Sequence, residues 1–187
     1  MANSLRRFVA GLKELADYLL GLKQLRCPEC GVAETLNCHS KLYGNDPQSR
    51  TGGQAQRGQR VWCSNRGQRG GCGRSFSIFL AEVLPRHTVR AGVLWSLLAG
   101  LLSGRSLKAA AEALGQPFAL ESLYHLRGRM RLGLSAVRSL LCRQEPPPAS
   151  SQTDALLHTV EHLRRLFPQS ACPVAAFQLR FQRPLLG

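Results

Sequence analysis

The sequence predicts an α+β chain, mostly α, with a small β module ahead of a helical one. Three observations carry this. Five of the seven cysteines fall between residues 27 and 72, among glycines and turn formers. Three short β-patterned segments, 35–38, 59–62 and 75–79, lie in the same region. From Pro85 onward the apolar residues recur at three- and four-residue steps.

The elements follow in order. Residues 1–25 read as an N-terminal amphipathic helix, capped by Ser4. Its stripe is Leu5, Phe8, Val9, Leu12, Leu15, Ala16, Leu19 and Leu22. Residues 26–80 form the cysteine-rich β module, with a polar, turn-rich loop over 43–54. Residues 85–143 form the helical module. Pro85 suits a helix start, and Val89, Val93, Leu94, Leu97, Leu98, Leu101 and Leu102 make one face that ends at Gly104. Ser106 caps a short second helix, 107–114, stopped by Gly115. A third helix spans about 119–142, with Leu120, Leu123, Met130, Leu134, Val137 and Leu141 apolar. Three consecutive prolines make 144–152 a linker. Residues 153–187 hold a last helix, capped by Thr153 and ended by Pro168, and a tail with no assignable pattern.

Composition bounds the partners. A hydrophobic share of 44% is enough for a core. Net charge is +14, with 25 Lys+Arg against 11 Asp+Glu, and 21 of those cations are arginine. The guanidinium fork pairs with phosphate oxygens and guanine edges, so this balance suits nucleic acid. The longest apolar run, 93–102, is about half of the ~20 residues a membrane helix needs, so no membrane partner is expected. An odd number of clustered thiols and the lack of a signal pattern point to a reducing, cytoplasmic compartment and to metal binding.

The cysteine chemistry is specific. Cys27-Pro28-Glu29-Cys30-Gly31 is a knuckle that offers two thiolates, and Cys63 and Cys72 form a second pair spaced by a glycine-rich insert. Four thiolates suit a tetrahedral zinc ion in a structural role. Cys38 and His39 are also available and could replace one ligand.

The helices suggest a second role. A capped short helix, a turn and a longer helix form a helix-turn-helix pattern. On the third helix Ser122, His125 and Arg129 lie opposite the apolar stripe, at the spacing a base-reading helix needs, and Arg127 and Arg131 flank them. In the β module Arg60, Arg66, Arg69 and Arg74 are candidate phosphate contacts, within a stretch free of acids from Pro47 to Ala81. No catalysis is expected. The acids Glu82, Glu112, Glu121, Glu145, Asp154 and Glu161 are scattered, and no phosphate loop or deaminase signature occurs.

The order of cysteine module and helix-turn-helix resembles the N-terminal DNA-binding region of bacterial insertion-sequence transposases and related short mobile-element proteins. The likeness rests on Cys27-Pro28-Glu29-Cys30-Gly31 and on Cys63 followed by Gly71-Cys72-Gly73-Arg74-Ser75-Phe76-Ser77, and covers about residues 26–130. It implies a zinc ribbon held by Cys27, Cys30, Cys63 and Cys72, and argues against Cys38 as a ligand. It further implies DNA in preference to RNA, association with the bacterial nucleoid, and a second copy or a transposase as partner. The acidic triad of the transposase catalytic domain has no counterpart here. A DNA-binding fragment, an accessory protein or a stand-alone descendant is therefore expected. The alternative is a zinc-stabilised protein-interaction module working through helices 5–25 and 154–167.

Overall fold

The computed structural model describes residues 6–45, 53–67, 70–115 and 119–186. The chain divides into two compact units, Met1–Val83 and Leu84–Gly187.

The first unit is a four-stranded sheet with one helix. Its elements are β1 (Arg6–Val9), α1 (Leu12–Leu20), a 3-10 turn (Leu22–Gln24), β2 (Leu36–Asn45), β3 (Gln54–Cys63) and β4 (Ser75–Leu80). The strand order is β1-β4-β3-β2. β2 and β3 pair antiparallel from Leu36 opposite Cys63 to Asn45 opposite Gln54. β3 and β4 also pair antiparallel, with Val61 opposite Phe76. β1 runs parallel to β4, with Phe8 opposite Phe79. At Gly58 the strands come so close that a Cβ would stand 2.0 Å from the Ile78 carbonyl oxygen, so only glycine fits.

Period 2 decides which face is buried. Leu36, Val61, Cys63, Phe76, Ile78 and Leu80 pack with Val9, Leu15 and Leu22 in one core. The single helix expected over 1–25 is corrected by this unit, whose β1 precedes the shorter α1. Gly11 is extended and starts α1, and the Glu14 carboxylate accepts from the Ala10 N–H at 2.5 Å, closing the helix N-terminus. Phe8 and Val9 have the β-propensity to pair instead of coiling, and β4 supplies an open edge.

The elements of the second unit are, among the described residues, helices: α2 (Ala91–Leu102), α3 (Leu107–Glu112), α4 (Leu120–Cys142), α5 (Ala155–Leu166) and α6 (Pro173–Phe181). One core joins Leu94, Leu97 and Leu98 of α2, Leu107 and Ala110 of α3, Leu123, Leu126, Met130, Val137 and Leu141 of α4, Leu156, Val160 and Leu163 of α5, and Val174 and Phe177 of α6. Ser106 caps α3 as its residue type predicts, its Oγ accepting from the Ala109 N–H at 3.1 Å. Gly115 closes the following turn at φ 61°. At Gly100 a Cβ would meet the Ala110 Cβ at 3.0 Å, so small residues set the α2–α3 approach.

Four boundaries differ from the sequence reading. α2 begins six residues after Pro85, which is buried in the preceding turn. Asp154, not Thr153, caps α5, with Oδ1 accepting from the Leu156 N–H at 2.7 Å. The tail contains α6, opened by Pro173 at its first turn. The segment 144–152 is not a free linker between domains. Pro148 is buried, its carbonyl accepts from His158 Nε2 at 3.1 Å, and Ser150 Oγ donates to the Glu161 carboxylate. Prolines forbid a helix there but leave carbonyls free to accept. α5 buries its apolar face in the shared core, so that face is not a working surface. Among the described residues no helix is long and apolar enough to cross a membrane.

Candidate metal centre

The first cysteine pair stands on a tight turn after the 3-10 helix. Gly31 N–H donates to the Cys27 carbonyl at 2.8 Å, and Gly31 takes φ 74°, a left-handed position that closes the knuckle. Arg26 and Ala33 form a bridge across it. The second pair is built differently. Cys63 ends β3, where Leu36 stands opposite, and its N–H donates to the Arg74 carbonyl at 2.8 Å. The chain then leaves and returns so that Cys72 N–H donates to Cys63 Sγ at 3.3 Å. Gly71 is wedged beside this contact. A Cβ there would stand 2.0 Å from the Ser64 carbonyl oxygen and 2.7 Å from Cys63 Sγ.

The four sulfurs of Cys27, Cys30, Cys63 and Cys72 lie within 4.8 Å of one another and can hold a metal ion. Cys27 Sγ is 3.8 Å from Cys72 Sγ, and Cys30 Sγ is 3.8 Å from Cys63 Sγ. Thiolates bonded at ~2.3 Å around a tetrahedral ion stand about 3.8 Å apart, so these two separations match the edge of such a tetrahedron. Cys27 and Cys63 are buried, whereas Cys30 is exposed. The sequence left Cys38 and His39 as possible ligands. The structure places neither in the cluster: Cys38 is exposed on β2, and His39 Nδ1 pairs with Ser40 Oγ at 3.1 Å.

The thiols differ in acidity. Burial pushes Cys63 up, but the Thr35 hydroxyl, the Cys72 N–H and the neighbouring thiols outweigh it and leave Cys63 at about 7. Burial dominates at Cys27 and pushes it up to about 12. Ligation requires thiolates, so metal binding here releases protons and weakens as pH falls.

The candidate nucleic-acid residues occupy several settings. Arg74 pairs with Glu29 at 2.5 Å and so ties the two cysteine loops together. Arg60 is exposed on the sheet face away from the core, in register with Ser40 and Ser77. The Arg66 guanidinium lies over the Trp62 ring, 5.7 Å from its centroid. Arg69 falls outside the described residues. On α4, Ser122, His125 and Arg129 are all exposed along one face. Arg127 and Arg131, candidate phosphate contacts in the sequence, converge on Asp154 Oδ2 at 3.5 and 2.8 Å. The Leu156 N–H and the Arg131 charge hold the Asp154 carboxyl below its usual range, although burial acts the other way. The reason is topological: α5 returns along α4 and places an acid beside the two arginines.

Sequence reasoning passed over Trp62. Its signal was the alternation Arg60-Val61-Trp62-Cys63, in which an inward valine and cysteine force the arginine and the tryptophan outward. No protein-family model, curated protein or solved structure matches the chain.

Proposed function

We propose that the chain is a DNA-binding protein stabilised by a structural zinc ion, without catalysis of its own, and akin to the DNA-binding part of transposases. Zinc fits the donor set because four thiolates at tetrahedral separation suit a borderline-soft ion of no redox activity. Cys27, Cys30, Cys63 and Cys72 would hold it. Four protein ligands leave no open position for water, which supports a structural role. When bound, zinc ties the two cysteine loops to the end of β3.

The DNA reading rests on one observation. Ser122, His125 and Arg129 stand exposed at steps of three and four on a 23-residue helix that follows a short, capped α3. That is the arrangement by which a helix reads base edges in the major groove. Arg129 can reach a guanine, a contact worth ~1–3 kcal/mol when bidentate. The excess of cations would supply phosphate contacts, with Arg127 and Arg131 left to hold Asp154.

The test has two parts. Metal analysis of the purified protein should find one zinc per chain, lost in Cys72→Ser; iron, or no metal, overturns the zinc reading. Duplex binding should weaken with salt at a log–log slope of roughly −0.9 per phosphate contacted, and Arg129→Ala should lower affinity without loss of metal. A salt-independent curve overturns the DNA reading. A second reading, a protein-interaction module, draws on Leu20 of α1 and Leu132 of α4, which are 84% and 86% exposed. It is favoured if Arg129→Ala changes binding to no nucleic acid while a Leu20→Ser or Leu132→Ser variant loses a protein partner.

A further inference from the structure

The outer face of the first unit's sheet carries an indole, Trp62, that the duplex reading does not use. Arg60 and Trp62 point away from the core, because Val61 and Cys63 point into it. The cross-strand neighbours of Arg60 are Ser40 and Ser77, and those of Trp62 are Asn37 and Ser75. Four hydrogen-bonding side chains thus surround an arginine and an indole, and no aliphatic side chain stands opposite the indole. Lys23 adds a cation at the β2 edge, its Nζ donating to Asn37 Oδ1 at 2.6 Å. Trp62 is only half-buried, and its ring faces the Arg66 guanidinium.

A tryptophan that serves packing sits among apolar neighbours. One set among cations and hydroxyls presents a π-face where stacked planar groups and anions are both welcome. Arg60 lies two residues along the same face, about 7 Å from Trp62 at the ordinary strand rise. A base on the ring therefore leaves its backbone within reach of Arg60.

We propose that the end of this sheet face that carries Arg60 and Trp62 binds an unpaired stretch of nucleic acid. One base stacks on Trp62, displacing the Arg66 guanidinium from the ring, and Arg60 pairs with a neighbouring phosphate. A duplex keeps its bases stacked on each other, so the platform selects single strands. The proposal rests on the nucleic-acid reading above but adds a second site with a different substrate.

The experiment uses the 187-residue chain, metal-loaded, with Trp95→Phe, which leaves Trp62 as its one tryptophan. Oligo-dT is titrated while Trp62 fluorescence is followed; for the variants, Trp62 substitutions included, the affinities for labelled oligo-dT and for labelled duplex are measured separately by anisotropy. The expected result is quenching by oligo-dT. Trp62→Ala should weaken single-strand binding about 5- to 150-fold, the equivalent of ~1–3 kcal/mol per stacked base. Trp62→Phe should keep most of the affinity, and Trp62→Ala should leave duplex binding nearly unchanged. Arg129→Ala should show the reverse pattern. Oligo-rU in a parallel titration identifies whether RNA or DNA is preferred, and quenching by either supports the site. Metal content at the wild-type level shows that a variant is folded. If Trp62→Ala loses metal, the Arg60→Ala/Arg66→Ala double variant replaces it and should weaken single-strand binding more than duplex binding, which loses at most its share of non-specific phosphate contacts. Duplex binding without quenching by either oligonucleotide overturns this inference and leaves the function standing. Absence of both duplex and single-strand binding overturns both.

Discussion

Gly71→Ala tests the metal centre without touching a ligand. The added Cβ would stand 2.0 Å from the Ser64 carbonyl oxygen and 2.7 Å from Cys63 Sγ. Side chains do not approach closer than about 3.0 Å, so the returning loop must retreat by at least about 1 Å from β3. That retreat acts on the Cys72 N–H to Cys63 Sγ contact of 3.3 Å and on the placement of Cys72 itself. Overpacking of a close site costs about 1–3 kcal/mol. Before metal binds, the loop relieves the clash by moving away; with metal bound it cannot. The strain therefore falls on the bound form, and affinity should drop about 5- to 150-fold by the same conversion. Gly70→Ala is the control. Nothing lies within 4 Å of its added Cβ, but φ is 64°, so its cost of ~1–2 kcal/mol is conformational and lies in the loop. The assay is cobalt(II) titration followed by competition with zinc, since cobalt thiolate absorption counts the sulfurs bound. Wild-type affinity and a four-thiolate spectrum in Gly71→Ala would refute the close-packing argument.

Three further outcomes follow from the second unit. His162 is buried, its Nε2 has no hydrogen-bond partner, and burial holds its pKa below the usual value. The unfolded chain then binds the proton more readily, so stability is full above about pH 6.5 and falls as pH drops toward the folded value; thermal melts of wild type and His162→Leu should diverge in that window, and parallel curves would refute it. Asp154→Asn should keep the α5 cap while releasing Arg127 and Arg131, whereas Asp154→Ala should lose an additional ~0.5–2 kcal/mol, measured by denaturant melts. Gly92→Ala should raise stability by up to ~1 kcal/mol, because Gly92 lies in α2 with open space around it; a fall in melting temperature would show that the helix is not intact there.

Much of the fold is legible because the signals are local. Ser106 before an alanine-rich run, Gly115 after it, and the apolar stripes of α2 and α4 each state their element within one or two turns of helix. The three strands of the cysteine region are also visible, though β2 and β3 extend further than their apolar cores because a hairpin carries polar residues outward. β1 was not legible. Its residues also fit a helical stripe, and only the open edge of β4, 71 residues away in the chain, makes pairing the better use of them. α6 was missed because Phe177 and Val174 are too few to mark a period without the core that receives them.

The cysteines show the same division at the candidate site. The chain alone determined the residue types, the Cys27–Cys30 knuckle and the glycines that let Cys72 return, since ligand chemistry and turn geometry are written in short stretches. Tertiary structure brought Cys63 and Cys72 beside that knuckle and left Cys38 outside the cluster, as the resemblance had implied. It also spent Arg127 and Arg131 on Asp154 and turned Trp62 outward beside Arg60. Those outcomes depend on which distant segments pack together, and strand register and helix return are global solutions that no local pattern specifies.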